Sequence, residues 1–226
     1  MRKVKWLRIE SPFPMNIMAE MLSSDSFTED KGRGFLLSKV RKDQLNGKFV
    51  EKIVYEDKIS SLYDEESVVE RIEYKITEFS FQENSYPIAV IINPPRTLKP
   101  FANALVRNLG FGTSIEEIII EPFKWVSEIS KEQLVTINQI DASQIQVAEY
   151  ALAKMQITSS KNLLNYYYEE LSSKNIRIDR LTASISTPEY SGKFKLFRNG
   201  MANIEVRHEK EFSNLLYKAL KKAIKE

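Results

Sequence analysis

The feature that most constrains this fold lies near the C-terminus, where two apolar-alternating runs meet at Asn199-Gly200 and hand over to a long helical pattern. In KFKLF, Phe194 and Leu196 fall on one face of a strand and Lys193 and Lys195 on the other, because successive side chains point to opposite sides. Asn-Gly tolerates the positive φ of a tight turn, so KLFRNGMANIEV predicts a hairpin. After it, Phe212, Leu215, Leu216, Ala219, Leu220, Ala223 and Ile224 recur at helical spacing, predicting a helix from about Glu209 to Lys225. Lys218, Lys221, Lys222 and Lys225 occupy its other faces. A half-apolar sheet needs a cover and an amphipathic helix supplies one. The expected class is therefore α+β, with antiparallel sheets backed by helices.

The same patterns run upstream. IRIDRLTASIS reads as a strand, KNLLNYYYEELSSK as a helix capped at Ser159 or Ser160, and VAEYALAKMQITSS as one long strand. In the first half, Val4 to Glu10 reads as a strand, followed by a short helix from about Asn16 to Leu22. Leu45-Asn46-Gly47 is expected to turn the chain from FLLSKVRKD into KFVEKIVYED. In VVERIEYKITEFSF, Ile72, Tyr74 and Ile76 share one parity and Phe79 and Phe81 the other, which predicts a bulge or bend near Glu78. PIAVIIN reads as a central strand. A helix capped by Thr97 and carrying Phe101, Leu105 and Leu109 should stop at Gly110. SIEEIIIEP reads as a strand and the region of Trp125 as a short helix. The boundary is placed there, giving domains of residues 1–125 and 126–226.

From about Gln146 onward the order is strand, helix, strand, strand, strand, helix. With the hairpin KLFRNGMANIEV and the aliphatic helix after it, this order resembles one half of the TATA-binding-protein-like fold. The resemblance implies an antiparallel sheet backed by two helices in the last third of the chain. In that family phenylalanines wedge between base steps and the sheet reads the minor groove. No pair of phenylalanines here matches those positions, so the resemblance carries a fold and no binding residue.

Residue usage excludes more chemistry than it suggests. The chain has no cysteine and one histidine, His208. That removes thiolate metal sites, cysteine nucleophiles and two-histidine metal centres, and any Ser-His-Asp triad would have to use His208. In EVRHEKEF this histidine reads as a surface residue at a helix start. No cofactor or metal site is expected. No apolar run reaches the roughly 18 residues of a membrane-spanning helix, and the N-terminal MRKVKWLRIESPFP lacks the apolar stretch of a secretory signal. A cytoplasmic protein without a membrane partner is the expectation.

With 33 basic and 31 acidic residues, bulk charge does not favour nucleic acid, so only a local patch can. Lys193 and Lys195 on one strand face, with Arg177 from the neighbouring strand, form one candidate phosphate-binding surface. Lys218, Lys222 and Lys225 on the last helix form another. The leading expectation is a non-enzymatic protein that binds nucleic acid through these residues. The alternative is an interaction subunit of a larger complex, with a protein partner or a second copy of the chain. A third reading rests on Asp64, Glu73 and Lys75, whose order resembles that of magnesium-dependent nucleases, with two carboxylates for the metal and a lysine for the phosphate. Tyr166, Tyr167 and Tyr168 lie on successive helical positions and so cannot form one stacking surface.

Overall fold

The computed structural model describes the backbone of residues 1–60 and 66–225, and the side chains of 1–57 and 68–224. It is an α+β protein whose named strand pairs are antiparallel. The chain divides into two compact units, Leu7–Glu116 and Met1–Trp6 with Glu117–Glu226. The division falls at residues 116 and 117, and the first strand, β1 (Arg2–Glu10), contributes residues to both units.

The N-terminal unit adds α1 (Met15–Ser24), β2 (Arg33–Arg41), β3 (Gln44–Ser60), β4 (Glu66–Gln82), β5 (Ile88–Ile92), α2 (Lys99–Leu109) and β6 (Ser114–Glu117). Its strands run in the order β2-β3-β4-β5-β1, with the apolar β5 in the interior of the order as its composition demands. Leu7, Phe35, Phe49, Phe79, Phe81 and Phe101 meet Met18 and Leu22 of α1 and Leu105 of α2 in one core. Pro100 is the second residue of α2, in the first turn where a missing N–H costs nothing. Gly110 ends it at φ 73°, a conformation that favours glycine.

Two expectations fail in this unit. The turn between β2 and β3 is at Lys42-Asp43, and Asn46-Gly47 lies inside β3. A Cβ on Gly47 would stand 2.8 Å from Leu37 Cδ2 and from Phe79 Cζ, so this glycine serves close packing and not a turn. There is also no bulge near Glu78, because β3 and β4 pair in unbroken register from Gln44↔Gln82 to Ser60↔Glu66. The change of parity has another cause. β2 reaches β3 only up to Glu51, and β5 reaches β4 only from Glu78. Beyond those points β3 and β4 form a two-stranded ribbon carrying Ile72 and Tyr74, with Ile76 at its base where Val50 still pairs with β2, and all three lie on the face opposite Phe79 and remain exposed.

The C-terminal unit adds α3 (Pro122–Ser130), β7 (Val135–Ala148), β8 (Ala151–Thr158), α4 (Leu164–Tyr166, continued by a π-helical turn at Tyr167–Leu171), β9 (Arg177–Ser186), β10 (Ser191–Phe197), β11 (Met201–Val206) and α5 (Glu209–Lys225). The order β1-β11-β10-β9-β7-β8 places the predicted hairpin beside β1 and β9. VAEYALAKMQITSS is not one strand, since Glu149-Tyr150 turns the chain between β7 and β8. The predicted helix after it also starts later, at Leu164. From β8 to α5 the order is strand, helix, strand, strand, strand, helix.

Helix cover is one-sided here. Phe194 meets Phe212 of α5 with ring centroids 5.1 Å apart, and Trp6 meets Trp125 of α3 edge-on at 5.6 Å. Trp125 is fully buried and donates its Nε1–H to the Leu216 carbonyl at 2.9 Å, tying α3 to α5. Tyr167 stacks on Phe123 of α3 at 3.4 Å, which brings α4 to the same layer.

Candidate nucleic-acid interface

Antiparallel register decides which side chains share the other face of the C-terminal sheet. Val4, Leu181, Leu196 and Ala202 are buried under the helices, so the residues flanking them along each strand point away. One cross-strand row reads Lys3, Asn203, Lys195, Thr182 and Gln139. The next open row reads Lys5, Met201, Phe197, Arg180 and Asp141. A third holds Glu205, Lys193, Ser184 and Thr136. The rows are about 7 Å apart, two residues along a strand.

The cations on this face and at its edge fall into two groups. Lys5 is buried and pairs with Glu117 at 2.5 Å, Arg177 pairs with Asp179 at 2.7 Å, and Arg198 pairs with Glu121 at 3.1 Å. Arg180 donates to Asp141. Lys193 and Lys195 have no carboxylate within ion-pair distance among the described residues, although Glu205 is the register partner of Lys193. Beside Lys195, Asn203 Oδ1 and Thr182 Oγ1 are buried and have no hydrogen-bond partner within the protein. Such atoms are rare and costly, about 1–3 kcal/mol each.

The carboxylates differ in environment. Burial disfavours ionisation of Asp141, but the amides of Gln156 and Gln139 and the Arg180 guanidinium outweigh it and hold its pKa below the usual value. At Glu121 burial prevails over Arg198, and the pKa is raised. At the β10–β11 loop, Ile119, Arg177, Asp179, Phe197, Arg198 and Asn199 line a cleft of about 330 Å³. Arg180 lies 5.8 Å from the centroid of the Phe197 ring.

Lys193 and Lys195 therefore share the open face as expected, and Arg177 reaches the same side at its loop end. Lys218 and Lys222 belong to α5, in the helix layer on the opposite side, and Lys222 pairs with Glu132 at 2.9 Å. Lys225 ends α5, and its side chain lies outside the described residues. Asp64 also lies outside them. Glu73 and Lys75 are exposed, two residues apart on the ribbon, and no group of three metal-ligating side chains occurs among the described residues. His208 is exposed at the start of α5. Sequence reasoning missed Lys3, Lys5, Arg180, Thr182 and Asn203. Alternation in MANIEV assigns Asn203 to the Lys195 face, but only strand pairing shows that β1 is the neighbour of β11. No protein-family model and no curated protein matches the chain.

Proposed function

We propose that the protein binds nucleic acid through the helix-free face of its C-terminal sheet, without catalysing a reaction on it. The observation that carries this reading is the open row Lys3–Asn203–Lys195–Thr182, in which Lys195 has no carboxylate within ion-pair distance among the described residues. Lys193 stands one open row away. Ammonium groups meet backbone phosphates as point charges, and side-chain amides and hydroxyls complete the contacts. The element order from β8 to α5 supports a TATA-binding-protein-like module, in which the open sheet face is the contact surface.

Fluorescence anisotropy with single- and double-stranded oligonucleotides tests this. The double variant Lys193→Glu/Lys195→Glu should lose at least tenfold in affinity. Lys218→Glu/Lys222→Glu, in the other layer, should change it less than twofold. Equal losses in the two variants would refute the sheet-face assignment, and no binding by the unaltered protein would refute the function.

A second reading, an interaction subunit, is favoured by the β3–β4 ribbon. Val54 and Ile72 are register partners, 50% and 48% exposed, and Tyr74 and Ile76 continue the same face at 44% and 42%. Exposed apolar side chains grouped on one face mark interaction surfaces, and here the Lys52–Glu29 pair and the Tyr74 hydroxyl add polar contacts within the group.

A further inference from the structure

The cleft at the β10–β11 loop has a different chemistry from the lysine rows. Its two guanidinium groups are each engaged by a carboxylate, Arg177 by Asp179 and Arg198 by Glu121, which leaves the cleft without excess charge. Phe197 supplies an aromatic wall, and Arg180 approaches that ring from its own row. Asn199, which lines the cleft, has a buried Oδ1 with no partner, and the Glu121 Oε1 beside Arg198 is likewise buried and unpartnered. A phosphate would meet two carboxylates here, and desolvating its charge would not be repaid by cations already in use. A neutral, planar molecule with donors and acceptors on its edge suits the site: its face stacks on Phe197 and its edge meets Asn199 and the arginines.

We propose that this cleft is a nucleobase pocket, so that the nucleic acid recognised is single-stranded, with one base inserted beside Phe197 and phosphates running toward Lys195 and Lys193. The proposal rests on the nucleic-acid reading above and adds to it the strand state and the stacking residue. Geometry supports the division of labour. Phe197 and Lys195 are two residues apart on β10 and point to the same side, about 7 Å from each other along the strand. Within a duplex the bases are stacked and their Watson–Crick edges paired, so a pocket that takes both face and edge selects an unpaired strand.

The test compares a single-stranded oligonucleotide of about 12 nucleotides carrying all four bases with an abasic strand of the same phosphate count and with the duplex. The unaltered protein should prefer the base-bearing strand over the abasic one by roughly 5- to 150-fold, the range of base–aromatic stacking. It should also prefer that strand over the duplex. Phe197→Ala should remove most of the first preference and Phe197→Tyr should keep it, while Lys195→Glu should weaken both single strands alike. Equal affinity of the unaltered protein for base-bearing and abasic strands overturns the pocket and needs no variant to fold. If Lys195→Glu still weakens binding in that case, the sheet-face function stands without the pocket. Absence of binding to any strand overturns both.

Discussion

Lys195 on β10 and Asn203 on β11 face each other in the antiparallel register, and Asn203 Oδ1 is buried there without a hydrogen-bond partner. A strand that turns only polar side chains away from its helices needs no more than solvated lysines. Here an acceptor is withheld from water beside a cation that no carboxylate holds, and the same is true of Thr182 Oγ1 on the other flank. Replacing Asn203 by Leu removes the unpaired oxygen at similar size. Urea denaturation should show stability equal to or greater than that of the unaltered protein, and anisotropy should show weaker oligonucleotide binding. A loss of both stability and binding would mean that Asn203 is structural.

Gly47 is a packing glycine inside β3. A methyl group there would press on Leu37 and Phe79, so Gly47→Ala should destabilise the protein by about 1–3 kcal/mol, read as a lower urea midpoint with an unchanged slope. A turn glycine with room around it would show a much smaller change.

Trp125 joins α3 to α5 through its bond to the Leu216 carbonyl and packs edge-on against Trp6. Trp125→Phe keeps an aromatic ring but loses the donor and part of the volume. Destabilisation of roughly 1–3 kcal/mol is expected from chemical denaturation. No change would show that the two helices are held by apolar contacts alone.

Asp141 titrates in the folded protein below its ordinary value of 3.8, so the folded state favours its carboxylate. The stabilisation is complete above the unfolded pKa and is lost as pH falls through the lower folded pKa. The stability gap between the unaltered protein and Asp141→Asn should therefore be constant near neutrality and shrink below pH 3.8, measured by urea unfolding across the acid range. A gap independent of pH would mean that the asparagine acts through packing.

Ile72 and Ile76 offer a test of the ribbon. Ile72→Lys/Ile76→Lys alters exposed positions outside the core, so thermal stability should shift by only about 0.5 kcal/mol per site. If the strip docks a second copy or another protein, sedimentation or co-purification should show that association lost. An unchanged assembly state with a lowered melting temperature would make the strip structural.

Much of this fold was legible where one physical pattern ruled. α5 runs from Glu209 to Lys225 as its apolar stripe requires, and the β10–β11 hairpin places Phe194 and Leu196 inside and Lys193 and Lys195 outside. Legibility ended where tertiary packing overrode local chemistry. Asn46-Gly47 looks like a turn, but Gly47 is required by Leu37 and Phe79. The parity change in β4 looks like a bulge, yet it marks where the strand leaves its neighbours and becomes a ribbon. The candidate site was half legible. Lys193 and Lys195 follow from alternation. Lys3 and Lys5 join them only because β1 pairs with β11 from the far end of the chain, whereas Arg180 shares the Thr182 face by plain alternation, and a register shift between β7 and β9 lies beyond it, toward Ile178.

The most direct measurement is the salt dependence of single-stranded oligonucleotide binding for the unaltered protein and for Lys193→Ala/Lys195→Ala. If each lysine meets one phosphate, the slope of log affinity against log salt should be shallower in the double variant by about 1.4, twice the contribution of a single-strand phosphate contact. Parallel slopes, or no binding at low salt, would contradict nucleic-acid recognition by this face.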